Sequence, residues 1–202
     1  MTVTDVNVVK SAIFERPDDA NKGTLGSLLC VCGSYGMAGA AVMSAKGALR
    51  TGIGLAKCAL PRSIYPIVAQ TILESVYYPL SENADGRISK VNVPFLVSES
   101  CKSSATLVGC GLGVCDDTLK IVFSLIENST TPLVLDADAL NCVAKQPEIL
   151  LRKKAPIIIT PHPGEMSRLT GLATPLVNAE RERVALDFAQ KYGVVTVLKG
   201  AG

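Results

Sequence analysis

Short apolar runs alternate along the chain with longer segments in which apolar and polar residues are mixed. The runs that predict strands are rich in Val, Ile and Leu, and they occupy residues 28–32, 55–60, 75–80, 106–109, 133–135, 156–160 and 194–198. The segments that predict helices follow them, at residues 38–49, 63–70, 93–100, 116–127, 137–144, 165–170 and 178–192. Strands and helices that alternate at this spacing predict an α/β fold, with a mainly parallel sheet and helices on both faces.

The chain of 202 residues has the size of one domain, which we assign to residues 1–202, with residues 1–21 as a leader that packs on it. The hydrophobic fraction of 48% is high enough for a packed core, whereas aromatic residues make up only 4%. Val, Ile, Leu and Ala must therefore fill the core, as is typical of helices packed on a parallel sheet. The net charge of +2, with acidic and basic residues interspersed, argues against a nucleic-acid-binding protein.

The seven cysteines are an odd number, and several of them stand inside apolar runs, where cysteine acts as a small hydrophobic residue. This usage predicts a reducing compartment and no structural disulfide bonds. The first residues do not resemble a signal peptide, and no apolar stretch is long enough to span a membrane. We therefore expect a cytoplasmic protein without a membrane partner.

Two glycine-rich segments follow predicted strands, at the sheet edge where parallel α/β proteins bind their ligands. Residues 33–41 place glycines and small residues between a strand and a helix, so that backbone N–H groups can approach an anion. Residues 109–113 hold three glycines in five positions, which indicates a close approach of the backbone to a ligand. Neither segment has the dinucleotide-binding or P-loop pattern, and a tight turn without a ligand is the alternative for each.

Three polar segments also follow predicted strands. Residues 136–141 contain two aspartates and an asparagine, which suit Mg²⁺ held through water or a hydroxyl contact, although Asp is also a common helix N-cap. His162 is the only histidine and stands between Pro161 and Pro163, which indicates either a ligand contact or simply a surface position. Residues 199–202 offer a lysine and backbone N–H groups to a phosphate, or else form a frayed terminus.

Six segments occur in an order that is typical of one protein family. They are KGTLG at 22–26, GSYGMAGAA at 33–41, ALRTGIG at 48–54, DADALN at 136–141, TPHPGE at 160–165 and LKGAG at 198–202. Together they resemble the ADP/ATP-dependent NAD(P)H-hydrate dehydratase family, a branch of the ribokinase-like fold. The resemblance extends from about residue 22 to the last residue.

The resemblance implies a repair enzyme, a lyase that restores NADH and NADPH from their hydrated forms. Such an enzyme uses a nucleotide to convert the hydroxyl of the hydrated nicotinamide ring into a phosphate leaving group, which is then eliminated. By motif, the residues expected to contact the NADH or NADPH hydrate are Ala41, Gly111 and His162.

The resemblance also implies an adenine nucleotide, ADP or ATP, that binds together with Mg²⁺. The residues expected to contact this nucleotide are Lys199, Gly200, Ala201 and Gly202. No residue of the chain is assigned as a metal ligand. Family members commonly assemble, so the resemblance implies a homo-oligomer as well.

The family pattern continues beyond LKGAG, where this chain stops. Family members carry there a Gly-Thr/Ser-Gly-Asp segment that opens a helix, and its Asp is the general base while its backbone holds the transferred phosphoryl group. No Gly-x-Gly-Asp occurs in this sequence, and neither Asp136 nor Asp138 has that setting. We therefore expect a domain that is incomplete at its C-terminus, with impaired catalysis and a catalytic base beyond residue 202.

Two other functions are compatible with these residues. A different ribokinase-like kinase acting on a small alcohol would keep the fold but leave His162 without its assigned role. A non-catalytic binding or assembly module would account for the missing base. The Ala-rich predicted helix at residues 38–49 suits a subunit interface, and it suits internal packing as well.

Overall fold

A seven-stranded sheet, in which all paired strands run parallel, organises residues 23–200, the part of the chain that the computed structural model describes. The strands are β1 (Ser27–Val31), β2 (Leu55–Pro61), β3 (Val76–Leu80), β4 (Ala105–Val108), β5 (Leu133–Leu135), β6 (Ile157–Ile159) and β7 (Val195–Thr196). Their order across the sheet is β3-β2-β1-β4-β5-β6-β7. The prediction of a mainly parallel α/β fold is therefore confirmed.

Helices connect the strands, as parallel pairing requires. The α-helices are α1 (Ala38–Arg50), α2 (Tyr65–Thr71), α3 (Val93–Cys101), α4 (Asp116–Asn128), α5 (Asp138–Val143), α6 (Pro163–Thr170), α7 (Thr174–Ala179) and α8 (Arg181–Tyr192). Short 3₁₀ helices occupy Arg62–Ile64, Lys90–Asn92 and Pro147–Arg152. None of the helices in this part of the chain is long and apolar enough to cross a membrane.

The two faces of the sheet carry different cores. On one face, residues such as Leu29 and Val31 pack against buried side chains of α3 to α8. On the other face, Cys30 and Cys58 pack against Ala45 of α1 in a cluster of mostly small residues. Side chains alternate between the faces along β1, as they must along any strand. Helices lie on both faces, but α1 and α2 cover mainly β1 and β2 on the second face, where Leu107 of β4 and Val134 of β5 are only half-buried.

The predicted helix at residues 178–192 is wrong in its start, because the structure contains two helices there. Helix α7 begins at Thr174, and Pro175 follows in its first turn, where the missing N–H of proline costs nothing. The backbone of Glu180 leaves helical geometry with φ −126° and ψ 39°, and α8 begins at Arg181. The break turns α8 so that Val184 and Phe188 lie in the core.

The predicted strand at residues 194–198 pairs over a shorter stretch than expected. Only Val195–Thr196 forms β7, at the edge of the sheet. Two further backbone hydrogen bonds, from Val197 N to Ile159 O (2.9 Å) and from Lys199 N to Pro161 O (2.8 Å), keep the chain beside β6. The leader assigned to residues 1–21 lies outside the described residues.

Candidate functional site

The strand order creates one point at which consecutive connections leave the sheet in opposite directions. Strands β1 and β4 are neighbours, with β2 and β3 on one side and β5 to β7 on the other. The loops after β1 and β4 therefore diverge and leave a crevice at their carboxyl ends, which is where open α/β sheets bind ligands. Two hydrogen bonds join these loops, from Gly33 N to Cys110 O (2.8 Å) and from the Ser34 hydroxyl to Gly111 O (2.7 Å).

Two glycines of the loop after β4 are required by close packing. A Cβ atom at Gly109 would lie 1.8 Å from the carbonyl oxygen of Asp136, and the φ of Gly109 is +128°. A Cβ atom at Gly111 would lie 2.7 Å from the Cβ atom of Ala40, at the start of α1. Gly111 therefore lies in the crevice against α1. Packing against α1 is sufficient to explain why this position is a glycine.

Ala41, predicted to contact the substrate, has its side chain in the core. It is 2% exposed, and a Cβ atom built on Gly33 would lie 3.1 Å from its own Cβ atom. The half-buried Ala40 lies nearer to Gly111 and faces the crevice. The first turn of α1 thus meets both glycine-rich loops, with Ala40 at the contact with Gly111 and Ala41 beneath it.

The aspartates after β5 have separate partners. Asp136 accepts a hydrogen bond of 2.7 Å from the ammonium group of Lys199. Asp138 accepts one of 2.8 Å from the backbone N–H of Gly113. Between them, Ala137 has a φ of +51°, and it is the only non-glycine residue with a positive φ among residues 23–200. This costly conformation separates the two carboxylates and turns them towards different loops.

The alternative of an aspartate N-cap is wrong for α5. The helix begins at Asp138, its N-cap is Ala137, and no side chain caps it. Asp138 instead holds the loop after β4 in place, and Asn141 donates a 3.3 Å hydrogen bond to its other oxygen. Both carboxylates therefore have hydrogen-bond partners in the folded chain.

His162 forms the N-cap of α6. Its Nδ1 accepts hydrogen bonds from the backbone N–H groups of Gly164 (3.0 Å) and Glu165 (3.4 Å). The carboxylate of Glu165 reaches back to the backbone N–H of His162 at 2.8 Å, which completes a capping box. The Nε2 atom lies 3.3 Å from Glu165 Oε1. Both ring nitrogens are thus engaged, although half of the side chain is exposed at the sheet edge.

Lys199 and Gly200 leave the last strand at the same edge. Lys199 is joined to the loop after β6 through its backbone and to Asp136 through its side chain. A Cβ atom at Gly200 would lie 1.8 Å from a guanidinium nitrogen of Arg181, which also donates a 2.9 Å hydrogen bond to Leu198 O. The other two predicted nucleotide contacts, Ala201 and Gly202, lie outside the described residues.

Sequence reasoning missed two arginines beside these loops. Arg181 supports the segment that carries Lys199. Arg87, after β3, lies against Gly113, where a Cβ atom would meet its Nε at 2.5 Å, and it donates a 3.3 Å hydrogen bond to Val114 O. No motif surrounds either arginine, and their place at the site follows only from tertiary packing.

A cavity of about 470 Å³ opens beside the crevice, between α1 and the strands. The polar side chains that line it are Ser44, Thr51, Cys110, Asp136 and Thr160. The sulfur of Cys110 lies 3.9 Å from a carboxylate oxygen of Asp136. The chain therefore gathers the loops after β1, β4, β5, β6 and β7 around one edge, as expected for a small-molecule-binding α/β protein.

Comparison with known proteins assigns the chain within this class. The model of the family described as NAD(P)H-hydrate dehydratase matches residues 28–202, and the chain belongs to that family. It is 38% identical over 186 residues to the bifunctional NAD(P)H-hydrate repair enzyme of Thermofilum pendens, covering 92% of this chain and 36% of that protein. The chain thus spans about a third of the length of this curated relative.

Solved structures show the same fold. The crystal structure of ADP/ATP-dependent NAD(P)H-hydrate dehydratase from Bacillus subtilis, co-crystallised with ATP and Mg²⁺, is 28% identical with a TM-score of 0.77. The match covers 96% of this chain and 65% of that one. A ribokinase-like superfamily protein from Enterococcus faecalis, 21% identical, matches with a TM-score of 0.74 over 93% of this chain and 62% of its own. The fold is therefore ribokinase-like.

Proposed function

We propose that this chain forms the substrate- and nucleotide-binding part of a lyase that dehydrates hydrated NADH and NADPH at the expense of ADP or ATP. The observation that carries the proposal is the position of Lys199. Its backbone is bonded to the loop that holds His162, and its ammonium group lies 2.7 Å from Asp136. Three segments of the family pattern, distant in sequence, thus meet at one sheet edge.

In this proposal one group of residues binds the hydrated dinucleotide and another binds the nucleotide. Gly111 and Ala40, with Ala41 beneath them, form the wall of the crevice for the hydrated dinucleotide, and His162 supplies an exposed ring at its edge. Lys199 and Gly200, together with Ala201 and Gly202, receive the phosphates of the nucleotide, because an ammonium group and backbone N–H groups both favour anions. We treat residues 1–202 as a single nucleotide-handling unit.

The nucleotide supplies the phosphoryl group that makes the ring hydroxyl a leaving group. Mg²⁺ would be held largely by the nucleotide phosphates, as is common for this cation. Lys199, which lies 2.7 Å from Asp136, would then contact a phosphate oxygen of the nucleotide.

A homo-oligomer in the cytoplasm is the further part of the proposal. Three large apolar side chains at α1 and the turn before it, Tyr35, Met37 and Met43, are more than half exposed, which supports an interface between copies. All seven cysteines are free thiols, which suits a reducing compartment. Light scattering of the purified chain tests the assembly, and a monomer at high concentration would contradict it.

The central test has two arms. Calorimetry with ADP and with ATP, each with Mg²⁺, should show binding, and a thiazole or pyrimidine alcohol should not be phosphorylated. Recovery of NADH absorbance from hydrated NADH should be slow, because the sequence has no Gly-x-Gly-Asp segment and Asp136 and Asp138 are both engaged with other groups. Absence of nucleotide binding, or transfer of phosphate to a small alcohol, would overturn the proposal. Rapid dehydration would instead place the base within this chain.

A further inference from the structure

Four of the seven cysteines share one side of the sheet. Cys30, Cys32 and Cys58 are buried in the small-residue cluster under α1, and Cys110 packs against the same cluster. None of them has a role in the proposed dehydration. Two of them, Cys32 and Cys110, stand at the carboxyl ends of β1 and β4, where the sheet opens into the crevice.

The backbone brings Cys32 and Cys110 within reach of each other. The β1–β4 register pairs Val31 with Val108, and the ladder continues through hydrogen bonds from Gly109 N to Val31 O and from Gly33 N to Cys110 O. The two cysteines are thus one position out of register on neighbouring strands. Residues so placed lie about 6 Å apart between Cα atoms. In a regular ladder they would point to opposite faces, but Gly109 has a φ of +128° and Cys110 packs on the same cluster as Cys32, so both side chains lie on one side of the sheet. A disulfide can span this separation.

The two thiols differ in access. Cys110 is half-buried and lines the open cavity of about 470 Å³ together with Ser44 and Asp136. Cys32 is 1% exposed and lies behind it. A small reagent that enters the cavity therefore meets Cys110 first, and the product at Cys110 has Cys32 as its neighbour. This is the arrangement of a reacting thiol and a resolving thiol.

The surrounding groups favour the thiolate at Cys110. A hydrogen bond with the Cys32 thiol lowers the pKa of Cys110 to about 7, and the Ser44 hydroxyl and the charge of Lys199 act in the same direction. Burial and the charge of Asp136 oppose this shift. The same hydrogen bond and burial raise the pKa of Cys32 well above its usual value. Cys110, the more accessible thiol of the two, is therefore assigned as the nucleophile of the pair.

We propose that Cys110 and Cys32 form a peroxide-sensitive dithiol at the switch point of the sheet. The Cys110 thiolate attacks a hydroperoxide, so that a sulfur–oxygen bond forms and the oxygen–oxygen bond breaks, giving a sulfenic acid and a hydroxide or alkoxide. The Cys32 sulfur then attacks the Cys110 sulfur, and the hydroxyl group leaves as water with the Cys32 proton. The peroxide gains two electrons, and the two thiols become one disulfide across the ends of β1 and β4.

The test treats the purified 202-residue chain with an equimolar amount of hydrogen peroxide and follows its intact mass. The expected product has lost two hydrogen atoms and regains them with dithiothreitol. Proteolysis without reduction should release one peptide pair that contains Cys32 and Cys110. Linkage of another pair, such as Cys30 with Cys58, or stable oxygen adducts without any linkage, would overturn the proposal.

Matched variants separate the two roles. Cys110→Ser should abolish the linkage and any adduct in this part of the chain, whereas Cys32→Ala should leave a sulfenic acid on Cys110 that a dimedone probe captures. Cys101→Ser is the control, because Cys101 is half-exposed at the end of α3, with its thiol directed at Asn128 O. If Cys101→Ser removed the linkage while Cys110→Ser retained it, the assignment would be wrong. If Cys32→Ala fails to fold, the peptide map of the unmutated chain still shows whether Cys32 and Cys110 are the linked pair.

Discussion

Lys199 donates a 2.7 Å hydrogen bond to the carboxylate of Asp136 across the end of β6, the strand that lies between theirs. Both side chains are partly exposed, so the pair contributes little to stability. The pair is of interest for function because of its position at the sheet edge. In the proposed function this lysine, beside the loops after β5 and β6, binds the phosphates of the nucleotide, and the aspartate orients its ammonium group.

Removal of this lysine should therefore weaken nucleotide binding without harming the fold. Lys199→Ala is expected to lower the affinity for ADP about tenfold, since the loss of one charge-assisted contact costs roughly 1.4 kcal/mol. The free energy of unfolding should change by less than about 1 kcal/mol. Calorimetry and urea unfolding measure the two effects.

Lys154→Ala is the matched control for the lysine variant. Lys154 is exposed and precedes β6, so it stands at the opposite end of the same strand from Lys199. Like Lys199→Ala, the Lys154→Ala variant removes one positive charge from the chain, but it leaves the charge at the crevice in place. Equal losses of ADP affinity in the two variants would show that only net charge matters and would contradict a phosphate contact by Lys199.

Substitution of Gly109 should destabilise the fold. Gly109→Ala places a Cβ atom 1.8 Å from Asp136 O at a φ of +128°, so the loop after β5 must move. We expect the free energy of unfolding to fall by about 3 kcal/mol. Gly47→Ala is the control, because Gly47 lies in α1 with nothing near its missing Cβ, and it should raise stability by about 0.5–1 kcal/mol. Urea unfolding that ranks the two variants the other way would refute this account of Gly109.

Much of the fold could be predicted from the sequence because its signals are local. The β-branched run at 157–159 becomes β6, and the Ala-rich stretch becomes α1, whose small residues let it approach the sheet. The boundary between α7 and α8 could not, because residues 178–192 carry an amphipathic pattern that continues through Glu180. Only the packing of both helices reveals the break there.

The candidate site also contains residues that could be predicted from the sequence and residues that could not. The glycine-rich loops, Asp136, His162 and Lys199 could be predicted because each follows an apolar run, and parallel strands bring such ends to one edge. Their partners could not, since Arg181 reaches Leu198 O and Asp138 reaches Gly113 N only through the folded chain. The capping role of His162 had a signal in the sequence, namely Glu165 three residues later.

The reactivity of Cys110 should follow its lowered pKa. Because the thiolate is the reacting form, alkylation by iodoacetamide should rise with pH through a midpoint of about 7, which is the pKa that the Cys32 hydrogen bond and the other neighbours produce. Cys32→Ala removes that hydrogen bond, so its midpoint should move to higher pH. The measurement is the fraction of the alkylated Cys110 peptide by mass spectrometry.

Cys101→Ser is the control for the alkylation profile, because the thiol of Cys101 contacts Asn128 O and not the crevice. This variant should leave the midpoint at Cys110 unchanged. A Cys110 profile that rises only near the ordinary thiol pKa of about 8.5 would contradict the proposed environment.

His162 has two assigned roles that one pair of variants can separate. His162→Ala removes the side chain that caps α6 and should lower the free energy of unfolding by about 1 kcal/mol. His162→Asn retains an N-cap, since asparagine is among the best capping residues, and should stay within about 0.5 kcal/mol of the unchanged chain. If the imidazole contacts the hydrated dinucleotide, both variants should bind hydrated NADH several-fold more weakly in calorimetry. Full affinity in His162→Asn would limit His162 to the cap, because the ring would then be dispensable while the helix start is preserved.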